Sequence, residues 1–335
     1  MLGPLLFLVY INDLVSSIKH SKVSSFADDT KISRPIKLEE DIPLLQEDLD
    51  RVIKWSIDNN MDLHEDKFEV MNYRINSSSL LRELPFSSSL ITYETSEGKD
   101  IPPSHLVKDL GVNLSADCKW EAHIKIISNN ANKMASWMLG TFKDRSKFLM
   151  TLLFKTMVRS RLEYCSALWN PYKIQDIQTL EAIQRSFTRR ISGCQNLNYW
   201  ERLKFLHLPS LQRRRERYLI INTWKILHKK APNDIKMVFY ESDRLGVKVK
   251  VPPQAKGCPA AINSLYENSF SVKAAKLWNI LPKYVNTAKD LDSLKAALGK
   301  FLEKVPDTPP TPGYTSQCNN SLLDWSIQSG GLREV

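Results

Sequence analysis

The spacing of apolar residues alternates between helical and extended in the first third of the chain. Residues 4–18 carry apolar side chains at three- and four-residue intervals behind a proline, which predicts a buried helix. Residues 22–32 alternate as strand, turn and strand, which places Asp28 and Asp29 at the exposed tip of a hairpin. Residues 38–63 predict an amphipathic helix that stops near Asn59, and its apolar stripe consists of Leu44, Leu45, Leu49, Val52, Ile53 and Ile57.

Short strands and then a long helical region follow this helix. Residues 68–75 and 105–114 are predicted strands, and the serine-rich stretch 77–98 is predicted to be mostly loop. From Trp120 the spacing becomes helical, interrupted by Gly and Pro, with candidate helices at 120–139, 146–168, 174–192, 199–206 and 209–230. A linker at 251–259, a helical stretch at 262–304 anchored by Trp278 and Phe301, and a mobile tail at 305–335 complete the pattern.

These elements predict an α+β fold in four segments. Antiparallel strands and helices occupy residues 1–118, helices occupy 119–230, a second helical region occupies 231–304, and the tail occupies 305–335. The chain has 335 residues, of which 42% are hydrophobic and 25% charged, a composition typical of a folded globular protein.

Charge divides the chain near residue 118. Residues 1–118 contain 12 Lys or Arg against 20 Asp or Glu, a net charge of −8, whereas residues 119–230 contain 22 against 7, a net charge of +15. An acidic site that collects cations beside a surface that binds polyanions would explain this division. Solvated charged faces are the alternative interpretation for any single cluster.

The helix predicted at 174–192 packs by one face and offers arginines on another. Its apolar stripe consists of Ile177, Leu180, Ile183, Phe187 and Ile191. Arg185, Arg189 and Arg190 lie off this stripe, and the run RRRER at 213–217 is predicted to continue the basic surface. Tryptophans of this region are predicted to be core residues rather than platforms for stacked bases, namely Trp120, Trp137, Trp169 and Trp200.

Several classes of protein are disfavoured by the sequence. No run of about 18 apolar residues is present, so we predict no membrane span and no membrane partner. The apolar N-terminus lacks a basic region and a small-residue cleavage site, which argues against a secretory signal. The five cysteines form no C-x-x-C pair, which favours a reducing compartment and argues against a zinc site. We therefore predict an intracellular protein of the nucleus or cytoplasm.

Two adjacent carboxylates interrupt the strand-like stretch SFADDT at residues 25–30. Burying them in a strand would be costly unless they turned to water or met a cation. One explanation is that aspartate is favoured in turns, which is by itself sufficient to place an Asp pair at a hairpin tip. The alternative is that Asp28 and Asp29 hold a divalent cation, which would relieve their mutual repulsion.

Ordered sequence blocks around this pair favour the metal-binding alternative. LGPLLFLVYINDL, SFADDTKI, LQEDLDRVIKWSIDNNMDLHEDKFEVM and HLVKDLGVNL, followed by KWEAHI, resemble the reverse transcriptase of non-LTR retrotransposons of the LINE and jockey-like kind. The later blocks RSRLEYCSALWNPY, DIQTLEAIQRSFTRRISG and ERLKFLHLPSLQRRRER resemble the region that follows the polymerase core. The resemblance runs from Gly3 to about Lys230 and implies a partial polymerase palm followed by a basic helical thumb and connection region.

The resemblance also implies an RNA-directed DNA polymerase with a role for each block. Asp28 and Asp29 would be catalytic carboxylates that hold Mg²⁺ against an incoming dNTP. Gly3, Pro4 and Lys67 would contact nucleotide and template. Leu110 and Gly111 would form the primer grip. Phosphates of the RNA template and DNA primer would be contacted by Arg185, Arg189, Arg190, Arg213, Arg214 and Arg215.

Polymerases of this family need a third carboxylate on an earlier palm strand, together with fingers. The present sequence starts inside the block that precedes GPLLF, so we expect the chain alone to be inactive or nearly so. Two other interpretations stay open. One is a non-catalytic remnant that binds nucleic acid, and the other is a helical scaffold whose basic surface meets an acidic protein.

Overall fold

The computed structural model describes residues 2–73, 92–231, 237–254, 260–312 and 320–329. Helices and small antiparallel sheets make up its regular structure, which confirms the predicted α+β class. The chain divides into two compact units. Unit 1 comprises Met1–Asp109 and Leu114–Cys118, and unit 2 comprises Leu110–Asn113 and Lys119–Val335. The division passes through a hairpin next to the boundary predicted at residue 118.

Unit 1 carries the hairpin with the aspartate pair. Its described elements are α1 (Leu2–Ile11), α2 (Leu14–Ser17), β1 (Lys22–Phe26), β2 (Asp29–Ser33), α3 (Asp41–Asp58) and β3 (Leu106–Asp109). Strand β3 forms the second hairpin with β4 (Val112–Ser115). The small core of unit 1 lies where Ile11 and Leu14 pack against Val52 and Trp55.

A buried aspartate connects α3 to the segment that enters β1. Asp48 accepts hydrogen bonds from the backbone N–H groups of Lys19 and His20, both at 2.9 Å, and forms an ion pair with Arg51 at 2.7 Å. Burial alone would raise the pKa of Asp48, but these donors outweigh it and lower the pKa to about 2. The segment that leads into the hairpin is therefore held against α3 by a charged acceptor.

Unit 2 is mostly helical. Its described elements are α4 (Glu121–Thr141), α5 (Lys147–Leu153), α6 (Arg159–Glu163), α7 (Ser166–Trp169), α8 (Ile174–Thr188), α9 (Tyr199–Leu206), α10 (Leu211–Leu227), β5 (Phe239–Ser242), β6 (Gly246–Val249), α11 (Ala260–Asn268), α12 (Phe270–Asn279), α13 (Lys283–Asn286), α14 (Leu291–Glu303) and α15 (Leu322–Gln328). Helix α10 contacts α7, α8, α12 and α14. Much of the core forms around it, with Trp224, Trp278 and Phe301 buried together.

The helix predicted at 4–18 is not buried as expected. It is divided into α1 and α2, and α1 exposes most of its apolar side chains, including Leu5 and Val9. No residue of α1 is charged, so its sequence does not distinguish a core face from a solvent face. Only Ile11 of this helix is buried, against the core of unit 1.

Other differences concern short elements. Residues 146–168 form α5, a π-helical turn at Phe154–Val158, α6 and α7 instead of one helix. Within the described part of the strand predicted at 68–75, the pairing is an isolated bridge between Val70 and Pro103. The β5–β6 hairpin was not predicted. Residues 74–91, which include most of the predicted serine-rich loop, and residues 255–259 of the predicted linker lie outside the described residues.

The prediction of a mobile tail is wrong for residues 305–312 and 320–329. Val305 and Leu322 are buried in the core around α10. Asp307 Oδ2 accepts a hydrogen bond from the backbone N–H of Ser210 at 2.7 Å, and Glu216 accepts one from the backbone N–H of Leu322 at 2.9 Å. The abundance of Pro, Ser and Gly suggested a free chain, but a few buried side chains and specific acceptors hold these segments in place. The remaining tail residues lie outside the described ranges.

Candidate functional site

Asp28 and Asp29 lie at the tip of the β1–β2 hairpin, as predicted. Phe26 pairs with Asp29, so Ala27 and Asp28 form the two-residue turn and Asp29 begins β2. Both aspartates are exposed. Ala27 has φ of +53°, a left-handed conformation that is uncommon for a residue with a Cβ atom. The turn therefore presents two carboxylates to solvent from a strained backbone.

The surroundings of this turn decide what it could hold. Within the described ranges, no group of three His, Cys, Asp or Glu side chains is arranged to bind a metal ion. Asp28 and Asp29 offer two oxygen ligands of the type that Mg²⁺ prefers, with water or substrate oxygens left to fill the other positions. Lys31 of β2 forms an ion pair with Asp109, which ends β3. This ion pair connects the aspartate hairpin to the strand that leads to Leu110.

Gly3, Pro4 and Lys67 are all exposed in unit 1. Gly3 and Pro4 lie in the first turn of α1, and a Cβ atom at Gly3 would meet no other atom within 4 Å. Packing in this structure therefore does not require glycine at position 3. Lys67 ends a short 3₁₀ turn at Glu65–Lys67. The structure leaves the nucleotide and template roles of these residues as predictions.

Leu110 and Gly111 form the turn between β3 and β4. Their φ angles are +44° and +84°, so both central residues of the hairpin turn are left-handed. The Tyr164 hydroxyl donates to the Leu110 carbonyl at 2.9 Å, and a Cβ atom at Gly111 would lie 3.3 Å from the Tyr164 ring. The left-handed backbone favours glycine at position 111, and a Cβ atom there would also press against the Tyr164 ring.

Arg185, Arg189 and Arg190 line one groove of about 930 Å³ in unit 2. We call it the arginine groove; its other walls are Ala182, Ser186, Gln195, Asn196, Leu197, Asn198 and Arg202. Helix α8 and the turn that follows it supply the three arginines. The opposite wall begins α9, whose start is fixed by a capping box between Asn198 and Glu201. Arg189 and Arg190 are exposed, and Arg185 is half-buried.

Arg202 braces the two walls of the arginine groove. Its Nη1 donates to the Leu197 carbonyl at 2.7 Å, and its Nη2 donates to the Arg185 carbonyl at 3.3 Å. The side chain is almost completely buried. Burial lowers the pKa of Arg202, and the positive charges of Arg189 and Arg185 lower it further. The guanidinium groups therefore repel one another across a small space.

No carboxylate neutralises this cluster within the part of the chain that the structure describes. Arg185, Arg189, Arg190 and Arg202 form no ion pair there, although arginines elsewhere in the molecule do, such as Arg214 with Glu163. Clustered cations without counter-ions in a groove favour the binding of an anion with several charges, such as a phosphate chain.

The run RRRER does not continue this surface, so the prediction for Arg213, Arg214 and Arg215 is wrong. Helix α10 is central in unit 2, and Arg213 and Arg215 are buried within it. Arg213 Nη2 donates to the carbonyls of Pro306 and Asn320 at 3.0 and 3.2 Å. Arg214 forms a bidentate ion pair with Glu163. These guanidinium groups connect helices and the C-terminal segments to one another instead of facing solvent.

The predicted burial of the tryptophans holds for some positions only. Trp169 is buried, and Trp120 and Trp200 are half-buried. Trp137 was predicted to be a core residue, but 54% of it is exposed. It lies near the end of α4, with its ring edge-on to Phe142 at a centroid distance of 6.5 Å.

The sequence predicted neither the buried position of Arg202 nor the exposure of Trp137. Arg202 follows the Asn198–Glu201 capping box by one residue, and this motif could have placed it in the first turn of α9. No local pattern shows that this turn folds back against α8, because that contact depends on tertiary structure. Trp137 lies on the exposed face of a helix whose buried residues include Ile124, Ala131, Ala135 and Met138.

Comparisons with known proteins do not identify a relative: no family model, no curated protein and no solved structure matches this chain. None of the helices in the described ranges combines the length and the apolar character needed to cross a membrane.

Proposed function

We propose that this chain is a nucleic-acid-binding part of a reverse transcriptase of the non-LTR retrotransposon kind. Unit 2 would hold a phosphate backbone in the arginine groove, and unit 1 would present Asp28 and Asp29 to magnesium. The observation that carries the proposal is the gathering of Arg185, Arg189 and Arg190 around the buried charge of Arg202. The family named in this proposal comes from the resemblance of the sequence blocks around SFADDTKI.

Phosphate chemistry suits the arginine groove. Each guanidinium group presents a planar set of N–H donors that matches two phosphate oxygens at once, and it stays charged at every physiological pH. Because Arg202 donates to two carbonyl groups, its guanidinium group stabilises the groove wall and is not free to bind a ligand. Arg185, Arg189 and Arg190 are then the groups left to contact successive phosphates of an RNA template or DNA primer.

The proposal for the aspartate turn is narrower. When bound, Mg²⁺ would supply charge stabilisation for phosphoryl transfer from a dNTP. Asp28 and Asp29 would hold it, but the family resemblance requires a third carboxylate that the described residues do not group with them. We therefore propose that this chain by itself binds nucleic acid without extending a primer.

Binding to a primer–template duplex at several salt concentrations tests the arginine groove. We expect the affinity to fall steeply with salt, because bound phosphates release counter-ions. The triple variant R185Q/R189Q/R190Q should bind about 10- to 100-fold more weakly, and its slope of log affinity against log salt should be shallower by about 2. A flat salt response, or an unchanged slope in the variant, would contradict the proposal and leave the scaffold interpretation.

A second triple variant controls for net charge. Lys295, Lys300 and Lys304 are exposed on or just after α14, outside the groove. K295Q/K300Q/K304Q removes the same charge as the arginine variant, so its affinity should stay within about twofold of the parent chain. Equal losses in both variants would show that total charge, and not the groove, determines binding.

Primer extension with Mg²⁺ and dNTPs tests the catalytic part of the proposal. We expect incorporation no higher than in D28A/D29A, measured on a labelled primer. Robust extension by the parent chain that is abolished in D28A would overturn the proposed lack of activity, while supporting the assignment of Asp28 as a metal ligand.

A further inference from the structure

Three exposed aromatic side chains come from segments that adjoin the end of the arginine groove. Trp137, Phe148 and Phe205, which we call the aromatic strip, are 54%, 80% and 41% exposed. They come from the end of α4, the start of α5 and the end of α9. Large apolar side chains are exposed singly on many proteins. Three aromatics on adjoining segments beside an unpaired cation cluster are a more specific arrangement.

Contacts within unit 2 connect these aromatics to the groove. The backbone N–H of Ser192 donates to the Arg145 carbonyl at 2.8 Å, which joins the α4–α5 loop to the turn two residues beyond Arg190. Lys147 Nζ lies 4.2 Å from the centroid of the Phe205 ring, which joins the start of α5 to the end of α9. The chain from Trp137 to Phe148 therefore runs past the same turn that ends the arginine wall.

Cations are interleaved with the aromatic strip. Residues 133–155 contain five Lys or Arg and a single acidic residue, Asp144. Both carboxylate oxygens of Asp144 accept hydrogen bonds from Ser146, at 2.8 Å from its backbone N–H and 3.0 Å from its hydroxyl, so this acid is engaged at the start of α5. Lys133 precedes Trp137 by one helical turn on the same face of α4.

Aromatic faces alternating with cations suit one class of ligand. Unpaired bases stack on exposed aromatic rings, while the phosphates between them meet lysine and arginine side chains. In a duplex the bases are stacked on each other and their faces are not available to the protein, so a strip of exposed rings gains nothing from double-stranded nucleic acid. The arginine groove and the aromatic strip together therefore suit a nucleic-acid strand whose bases are unpaired.

We propose that the aromatic strip binds single-stranded nucleic acid, stacking unpaired bases on Trp137, Phe148 and Phe205 while the adjoining arginine groove holds the same strand by its phosphates. This inference rests on the proposed function, since the groove supplies the anchoring charge. It adds the substrate class: a segment of strand that is not base-paired, with little preference for sequence, because every base has an aromatic face.

The test compares three probes of equal length at one salt concentration: single-stranded oligo-dT, an abasic strand with the same phosphates, and a DNA duplex. We expect oligo-dT to bind about tenfold or more tightly than the abasic strand, because stacking adds to the phosphate contacts. Oligo-dT should also bind more tightly than the duplex. Equal binding of oligo-dT and the abasic strand, or tighter binding of the duplex, would overturn the inference.

Variants then assign the effect to the strip. W137L/F148L/F205L should bind oligo-dT as weakly as the abasic strand while keeping the salt slope of the parent chain. R185Q/R189Q/R190Q should weaken both strands and make the slope shallower. F239L/Y240L/Y284L removes three exposed aromatics elsewhere in unit 2 and should change nothing. A preference for oligo-dT that survives in W137L/F148L/F205L would overturn the assignment.

The two proposals fail in different ways. If stacking is absent but the groove binds phosphates, the abasic strand and oligo-dT bind equally with a steep salt dependence, which overturns only the aromatic strip. If none of the three probes binds, the proposed function itself is overturned. Circular dichroism of each variant shows whether the fold is retained, and we expect it to be, because the substituted aromatic side chains are exposed.

Discussion

Ala27 is the residue on which the geometry of the aspartate turn depends. Its left-handed φ of +53° costs about 1–2 kcal/mol for a residue with a Cβ atom. Strain of this kind persists only where the surrounding structure imposes it, and it occurs often at functional sites. Here it lies directly before Asp28, and it sets the turn that presents both carboxylates.

Replacing Ala27 with glycine tests this strain. We expect Ala27→Gly to raise the free energy of unfolding of unit 1 by about 0.5–1 kcal/mol, because relief of strain exceeds the added entropy of the unfolded chain. Ala296→Gly, at an exposed position inside α14 of unit 2, is the matched control and should cost that unit about 1 kcal/mol. Urea denaturation measures both. If Ala27→Gly destabilises its unit as Ala296→Gly does, the turn is not strained.

Helix α8, which supplies Arg185 to the arginine groove, also carries a buried carboxylate, that of Glu181. Glu181 Oε2 accepts a hydrogen bond from the Tyr199 hydroxyl at 2.6 Å, and its Oε1 accepts one from the backbone N–H of Gln212 at 2.8 Å. Burial raises the pKa of Glu181 to about 7, although the nearby charge of Arg215 opposes the shift. This group therefore connects α8, α9 and α10 and is protonated well above the usual range of a glutamate.

The raised pKa makes the stability of unit 2 depend on pH. A carboxyl group whose pKa is higher in the folded state contributes stability that is full below the unfolded pKa of 4.5 and is lost as pH rises through about 7. We expect the free energy of unfolding to fall between about pH 5 and pH 8, and Glu181→Gln to reduce that fall by about 1–3 kcal/mol. Urea denaturation at pH 5 and pH 8 measures this difference in the free energy of unfolding. Glu303→Gln, at an exposed position in α14, is the control. An unchanged pH dependence in Glu181→Gln would contradict the assignment.

At the scale of elements, the apolar segment that forms α1 and α2 contains both exposed and buried side chains. We expect Val9→Gln to change the free energy of unfolding of unit 1 by less than about 0.5 kcal/mol, because Val9 is exposed. Leu14→Ala should cost about 2–4 kcal/mol, because Leu14 packs in the cluster with Trp55 and Val52. Urea denaturation compares the two. A large loss in Val9→Gln would show that another part of the molecule covers α1.

The same contrast explains which elements the sequence could predict. The end of helix α3 at Asp58 followed from the pattern, and Val52 and Ile53 of its predicted stripe are buried, but Ile57 of that stripe is 68% exposed while Asp48 and Trp55 are buried. The hairpin tip at Asp28 followed from local turn chemistry, whereas the turn at Leu110 and Gly111 divides into β3 and β4 a stretch that the pattern predicts as one strand. Helix α10 has apolar and arginine residues intermixed, and its central place depends on α7, α8, α12 and α14, which no local pattern encodes. For that reason the predicted basic surface is correct for Arg189 and Arg190, which follow α8 and are exposed, and wrong for Arg213 and Arg215 of α10.

At the scale of the whole molecule, the two units differ in charge and in core. The acidic segment 1–118 contains most of unit 1, whose clustered core is centred on Trp55, whereas unit 2 buries Trp224, Trp278 and Phe301 in a larger cluster. A small core gives a low stability, since burial must offset a conformational entropy of comparable size. The units are therefore expected to unfold at different denaturant concentrations, unit 1 first.

Tryptophan fluorescence can separate the two transitions. Trp55 is the single tryptophan in residues 1–118, and the other seven lie beyond them. We expect urea unfolding of the parent chain to show two steps, with the step at lower urea missing from the fluorescence of Trp55→Phe but still present in circular dichroism. Trp278→Ala should lower the free energy of unfolding of unit 2 by about 3–5 kcal/mol, because that side chain is fully buried. The step at higher urea should therefore move to a lower urea concentration in this variant. A single step that both substitutions shift together would mean that the two units unfold as one cooperative body.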